Sequence, residues 1–189
     1  MDLSDSELMH QLVNGNDLAL NALMARWADR LVAFLHKMTG DRTAALDLSQ
    51  ETFVKLYQAR DRYRLSANFS TWLFTIAANL ARNHTRWKAR HPTVSIAHSN
   101  DEAAVSIAQT ADPHPHPAQA AQTAETAHAI HTAFLNLPPE LREAMTLFIY
   151  EDMGYAEIAA VAGCTKKAVE TRIYRARQLM RVDLKHLAS

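Results

Sequence analysis

The stretch 163-GCTKKAVETRIYRARQLM-180 crowds Lys166, Lys167, Arg172, Arg175 and Arg177 together with Thr171, Tyr174 and Gln178. Lysines and arginines in such density neutralise phosphate, and the polar side chains between them reach base edges. Glu170 is the odd member. Its carboxylate repels phosphate, yet in a major groove it accepts from the N4 amino group of cytosine. An intrahelical ion pair with Lys166 or Lys167 accounts for it equally well, and both readings stay open. The face as a whole also has a plainer reading, as the solvated side of an ordinary helix.

A second strip lies in 70-STWLFTIAANLARNHTRWKAR-90. Thr75, Asn79, Arg82, Asn83, Arg86 and Arg90 recur at helical spacing, opposite an apolar side of Trp72, Leu73, Ile76, Ala77 and Leu80. Asparagines among arginines, beside a loop with Tyr63, Phe69 and Trp72, suit an unpaired nucleic-acid strand, because aromatic faces stack bases while arginines follow the backbone. Taken singly, Phe69 and Trp72 read as core. A third feature, in 43-TAALDLSQETFVKLYQ-58, aligns Asp47, Glu51 and Lys55 as a solvent-facing line or a docking strip for a basic partner.

Other chemistries find little support. The ten histidines lack metal-ligand company, with His114 and His116 set among prolines, and no His-Glu-x-x-His, Walker or Gly-rich loop pattern occurs. No catalytic set, metal or cofactor is expected, so an enzyme is disfavoured. The single cysteine, Cys164, excludes an internal disulfide and suggests a reducing cytoplasm. It reads as a small buried thiol, with oxidant sensing the alternative. No apolar run approaches the ~20 residues of a membrane span, and the acidic start 1-MDLSDSELMH is not that of a signal peptide. Zero formal charge argues mildly against nucleic-acid binding by the whole chain, though charge distribution matters more.

Helices must position these groups. Strand alternation is absent, and Gly15, Gly40, Gly154 and Gly163 each end an apolar-periodic run where a helix C-cap belongs. The expected fold is all-α, in two helical domains joined by a flexible linker. Residues 1–90 give helices near 4–14, 17–39, 43–60 and 70–90. Residues 91–126, rich in Ala, Gln, Thr, Ser, His and Pro, read as the linker, with part of 118–136 helical by its alanine content. Residues 127–189 hold helices near 139–152, 155–162 and 166–186. Pro139 suits a first helical turn, and Gly163-Cys164-Thr165 makes the turn of a helix-turn-helix with Thr165 as N-cap. Val169, Ile173, Ala176 and Met180 must face the core.

In this order, 47-DLSQETF-53, 69-FSTWLFTIAANLARN-83, Leu137-Pro138 with Arg142, 155-YAEIAAVAGC-164 and 168-AVETRIYRARQLM-180 are similar to extracytoplasmic-function (ECF) sigma factors of the sigma-70 family. The resemblance spans nearly the whole chain except the linker. It implies a cytoplasmic specificity subunit of core RNA polymerase that promotes initiation at promoter DNA. The first domain, sigma-2-like, would melt and read the −10 element; the last, sigma-4-like, would read the −35 element. By position, Tyr63 and Asn79 fall where the family captures a flipped −10 base, with Arg82, Asn83 and Arg86 on the adjoining strand and Trp72 a further candidate −10 contact. Lys166, Lys167, Glu170, Thr171, Arg172, Tyr174 and Arg175 fall at the −35 duplex. Family members often carry a basic residue where Glu170 stands, so the −35 preference should differ.

Asp47 and Glu51 fall where the family docks on the β′ clamp helices, the β flap being the other polymerase contact. There the family's Asp-Ala-Glu-Asp cluster is reduced to 44-AALD-47, keeping only Asp47. Phosphorylation of Thr52, or of Thr43 or Ser49, by a Ser/Thr kinase would restore the missing charge. An anti-sigma factor is the competing regulator. A free-standing dimeric transcription regulator is the rival from another class.

Overall fold

The computed structural model describes residues 3–64, 68–91 and 117–185. Among them are eight α-helices and no strand: α1 (Asp5–Val13), α2 (Leu18–Thr39), α3 (Arg42–Gln58), α4 (Phe69–Arg90), α5 (Pro117–Asn136), α6 (Pro139–Ile149), α7 (Tyr155–Ala162) and α8 (Lys166–Asp183), with one 3₁₀ turn at Arg60–Arg62. The all-helical expectation holds. α5 starts at Pro117, inside the segment read as linker, because its alanines carry helix propensity without needing large apolar side chains. Linker residues 92–116, with His114 and His116, lie outside the described residues.

Local chemistry sets the helix starts. Ser4 and Glu7 form a capping box on α1, Asp41 accepts from the Ala44 N–H at 3.1 Å, and Asn68 from Ser70 at 3.1 Å. Pro139 opens α6 as expected. Thr165 caps α8 by accepting from the Ala168 N–H at 3.2 Å. Thr165→Ala is expected to remove about 1 kcal/mol of stability, read as a lower urea midpoint.

Gly40 and Gly163 sit at the ends of α2 and α7 with φ of 68° and 62°, the left-handed geometry of C-cap glycines. Gly154 does not. Its φ is −70° and it is the N-cap of α7, while Asp152, at φ 52°, takes the left-handed position after α6. An aspartate tolerates that region, which is why a glycine was not needed there.

α2 is the central element. Its Leu23, Trp27, Leu31, Phe34, Leu35 and Met38 are buried, and it touches α1, α3, α4, α5 and α6. Phe34 and Phe74 of α4 meet edge-on at 5.1 Å between ring centres. The second half packs onto the first: α7 lies on α4 and α6 on α2, under one continuous apolar core. Arg142 of α6 clips the seam. Its guanidinium donates to the carbonyls of Met38 (3.1 Å), Leu137 (2.9 Å) and Leu135, satisfying orphan acceptors at the ends of α2 and α5. Lys37 lies 4.1 Å above the Tyr150 ring, and Asn68 donates to Glu157 at 2.7 Å.

Candidate nucleic-acid interface

α4 buries Leu73, Phe74, Ala77, Leu80 and Ala81, which leaves the other side of the helix outward. Asn79, Asn83, Arg86 and Arg90 are exposed there. Arg82 donates to Asn79 Oδ1 and Arg86 to Asn83 Oδ1, both at 2.6 Å, so each arginine sets the amide one turn before it. With the oxygens occupied, the asparagine N–H groups are the available donors. Tyr63 and Trp72 are half-buried, with ring centres 5.1 Å apart, and Phe69 lies beneath them in the core. Trp72, expected on the apolar side, lies two turns before Asn79 and so on the Asn79 face instead, a rise of roughly 10 Å. The strip therefore presents an aromatic end, an amide middle and a cationic end.

Arg82 is the exception. Its guanidinium turns to Glu143 of α6, 2.6 Å away across the seam between the halves. Glu143 is 3% exposed, and burial raises its carboxyl above the ordinary range although Arg82 and Arg172 act in the opposite sense. A second pair has the same design: Arg30 holds buried Glu151 at 2.9 Å, and burial raises that carboxyl too. Neither acid was legible as a site, because its partner lies far away in sequence and each sits in an unremarkable local pattern.

α8 follows its expected faces. Val169, Ile173 and Ala176 are buried and Met180 is partly so. Lys166, Lys167, Glu170, Thr171, Tyr174 and Arg175 are exposed, Tyr174 at 63%. Glu170 accepts from Lys167 at 2.8 Å, which is the intrahelical pair. Both side chains are well solvated, so the pair is worth less than about 1 kcal/mol and does not hold the carboxylate away from a base. Arg172 departs from the set. It is mostly buried, donates toward Cys164 Sγ at 3.6 Å and approaches Glu140 at 3.9 Å, bracing α8 against the turn and α6 rather than facing outward. Cys164 is half-buried beneath it.

On α3, Asp47 and Glu51 are exposed, with Lys55 3.5 Å from Glu51. Leu46 and Val54 stand exposed on the same face at 45% and 54%. The sequence reading followed the charges and missed these two, although Val54 stands three residues after Glu51 and so on its face. The candidate phosphorylation sites need correction. Thr52 is fully buried and its hydroxyl donates to the Leu48 carbonyl at 2.7 Å, while Ser49 is buried at 4%. Both fall on the core side of α3, so a kinase does not reach them in this fold; Thr43 is exposed.

Among the described residues no helix is long and apolar enough to cross a membrane, and no cluster of metal-ligating side chains occurs.

Comparison with known proteins agrees with this arrangement. Residues 23–91 match Sigma-70 region 2, and residues 127–180 match Sigma-70, region 4. The RNA polymerase sigma-H factor of Pseudomonas aeruginosa is 30% identical over 174 residues, covering 92% of this chain and 90% of its own. The ECF RNA polymerase sigma-E factor of Escherichia coli is 30% identical over 182 residues, covering 93% and 92%. Among solved structures, that of CnrH in complex with the cytosolic domain of CnrY superposes with a TM-score of 0.68 at 27% identity, covering 96% of this chain and 97% of that one. With α4 and α8 each carrying an outward polar and basic face on a matched region, the chain belongs to the sigma-70 family, as an ECF sigma factor.

Proposed function

We propose that the protein acts in the cytoplasm as a promoter-specificity subunit that docks on core RNA polymerase through the α3 face. The amide and arginine strip of α4 takes the unpaired −10 strand, and the exposed face of α8 enters the −35 major groove. The observation that carries this reading is the pair of basic outer faces on α4 and α8, each backed by a fully apolar inner face. Asn79 and Asn83 supply the base-directed donors, and Arg86 and Arg90 the phosphate contacts. On α8, Lys166, Lys167 and Arg175 hold the duplex while Glu170, Thr171 and Tyr174 reach its base edges. Leu46 and Val54 add apolar area to a docking face whose acidic component is reduced to Asp47 and Glu51. Docking therefore rests on mixed apolar and acidic contacts, with an anti-sigma factor the fitting regulator.

The test is co-elution with core RNA polymerase followed by promoter opening, read as permanganate reactivity of unpaired thymines. Asp47→Ala combined with Val54→Ala is expected to abolish co-elution. Asn79→Ala should keep co-elution and reduce opening about tenfold or more. Tight binding to a palindromic duplex without polymerase, with no co-elution, would instead identify a free-standing regulator.

A further inference from the structure

Ser6 lies in the first turn of α1, ahead of the residues 23–91 that match Sigma-70 region 2. Its helix is firmly seated. Leu8, Met9 and Leu12 are buried, and α1 packs against α2 and against the Arg60–Arg62 turn that leads into Tyr63. Arg26 of α2 pins the start of α1, donating to the Asp5 carboxylate at 2.5 Å and to the Leu3 carbonyl at 2.9 Å. Ser6 thereby comes within reach of a residue 57 positions on. Its Oγ stands 3.5 Å from the Tyr63 hydroxyl oxygen, and either oxygen can donate.

The half-buried Tyr63 ring is thus held from two helices. On α4 it lies 5.1 Å from the Trp72 ring with 48° between planes, and 6.3 Å from Phe69, edge-on at 71°. Those contacts set the body of the ring, and the hydroxyl end faces α1. The oxygen–oxygen separation is roughly 0.7 Å beyond the common O–H···O distance. Contacts at a site are often long before the ligand arrives and tighten with it. The two carboxylates beside Ser6 are committed elsewhere: Asp5 to Arg26, and Glu7 to the backbone N–H and the hydroxyl of Ser4, each at 2.7 Å. What Ser6 offers the phenol is a neutral hydroxyl that donates or accepts, so Tyr63 can still do either toward a base.

We propose that Ser6 is a positioning residue of the −10 pocket. Its hydroxyl holds the Tyr63 phenol against α1, so that the ring keeps its place beside Trp72 and one orientation toward an extruded base. A helix ahead of the matched region thereby sets how sharply one base of the −10 strand is chosen. This rests on the reading that Tyr63 and Asn79 receive a base of the unpaired strand.

The experiment uses holoenzyme reconstituted with core RNA polymerase and the single-stranded −10 segment of a promoter selected by the wild-type holoenzyme. A probe series removes one base at a time, and the affinity ratio of intact to abasic probe is read at each position. The captured base gives the largest ratio in the wild type. Ser6→Ala is expected to lower that one ratio about fivefold, with affinity for the probe abasic at that position unchanged. Ser6→Thr restores the hydroxyl and should keep most of the ratio. Tyr63→Phe should lower the same ratio, and the double variant Ser6→Ala, Tyr63→Phe should lose no more than Tyr63→Phe alone. Wild-type ratios in Ser6→Ala, an equal loss on intact and abasic probes, or a double variant worse than Tyr63→Phe would overturn the proposal. Tyr63→Ala separates the two readings. If it leaves every ratio unchanged, base capture by Tyr63 fails and the role of Ser6 with it; if it flattens the ratio while Ser6→Ala does not, only the role of Ser6 falls.

Discussion

Glu143→Arg is expected to drive the two halves of the molecule apart. In the native arrangement Arg82 meets the Glu143 carboxylate at 2.6 Å, and Arg172 also acts favourably on it. An arginine at 143 sets like charges together at a site nearly closed to water, where repulsion is poorly screened. A compact chain of this length has a radius of gyration of roughly 16 Å, and solution scattering should show a clear increase for the variant. Arg82→Glu together with Glu143→Arg restores opposite charges and should restore compactness. Because the native pair occupies Arg82, Glu143→Arg should also strengthen binding of the −10 single strand, whereas a variant that merely unfolds would lose it.

The pH dependence has a definite sign. Burial raises the Glu143 and Glu151 carboxyls above the ordinary value of 4.5 in the closed form. Closure therefore takes up protons. This contribution to the closed state is complete below the ordinary carboxylate value and is lost as pH rises through the raised one. Lowering the pH through the raised carboxyl values should favour closure, and raising it through them should favour opening. Glu143→Gln mimics the protonated acid, keeps an acceptor for Arg82, and should stay compact at neutral pH with a flatter profile.

Thr52→Asp is expected to destabilise the fold by roughly 3–5 kcal/mol, the effect of an uncompensated buried charge, against a total stability of about 5–15 kcal/mol. Thr52 has no exposed surface, and its hydroxyl bonds only within its own helix, to the Leu48 carbonyl. Thr52→Val keeps the shape and should change stability by less than about 1 kcal/mol, since that carbonyl retains its helical partner. Urea midpoints of the two variants separate charge from size. Polymerase binding should follow stability: retained in Thr52→Val and reduced in Thr52→Asp. A gain of polymerase affinity in Thr52→Asp would revive the phosphorylation switch.

The inner faces of the helices were legible because periodicity specifies which side is apolar. Val169, Ile173 and Ala176 are buried as their spacing requires, and Thr165 caps α8. Periodicity says nothing about which distant residue fills the space opposite. Arg82 read as a DNA contact from its place in the strip, but its partner Glu143 is 61 residues away. Arg172 likewise belongs to a basic run, and the turn carrying Cys164 draws it inward. Thr52 and Ser49 were misjudged for a local reason: small hydroxyl residues pass as exposed or buried, and Thr52 satisfies its hydroxyl on its own helix. Gly154 was misplaced because glycine, though commoner at the C-terminal end of a helix, is also accepted as an N-cap.

The Arg142 clip has a consequence for partner affinity. Of its three carbonyl acceptors only Met38 belongs to the first half; those of Leu135 and Leu137 stay with the half that carries Arg142. Were the halves to separate, the guanidinium would keep two partners and water would replace the third, so this contact strands no charge. Any macromolecule that grips only the separated form then binds with its intrinsic affinity multiplied by the separated fraction. At about one molecule in a hundred separated, that is a hundredfold discount, and a partner that pins the halves together deepens it without touching a single DNA-facing residue.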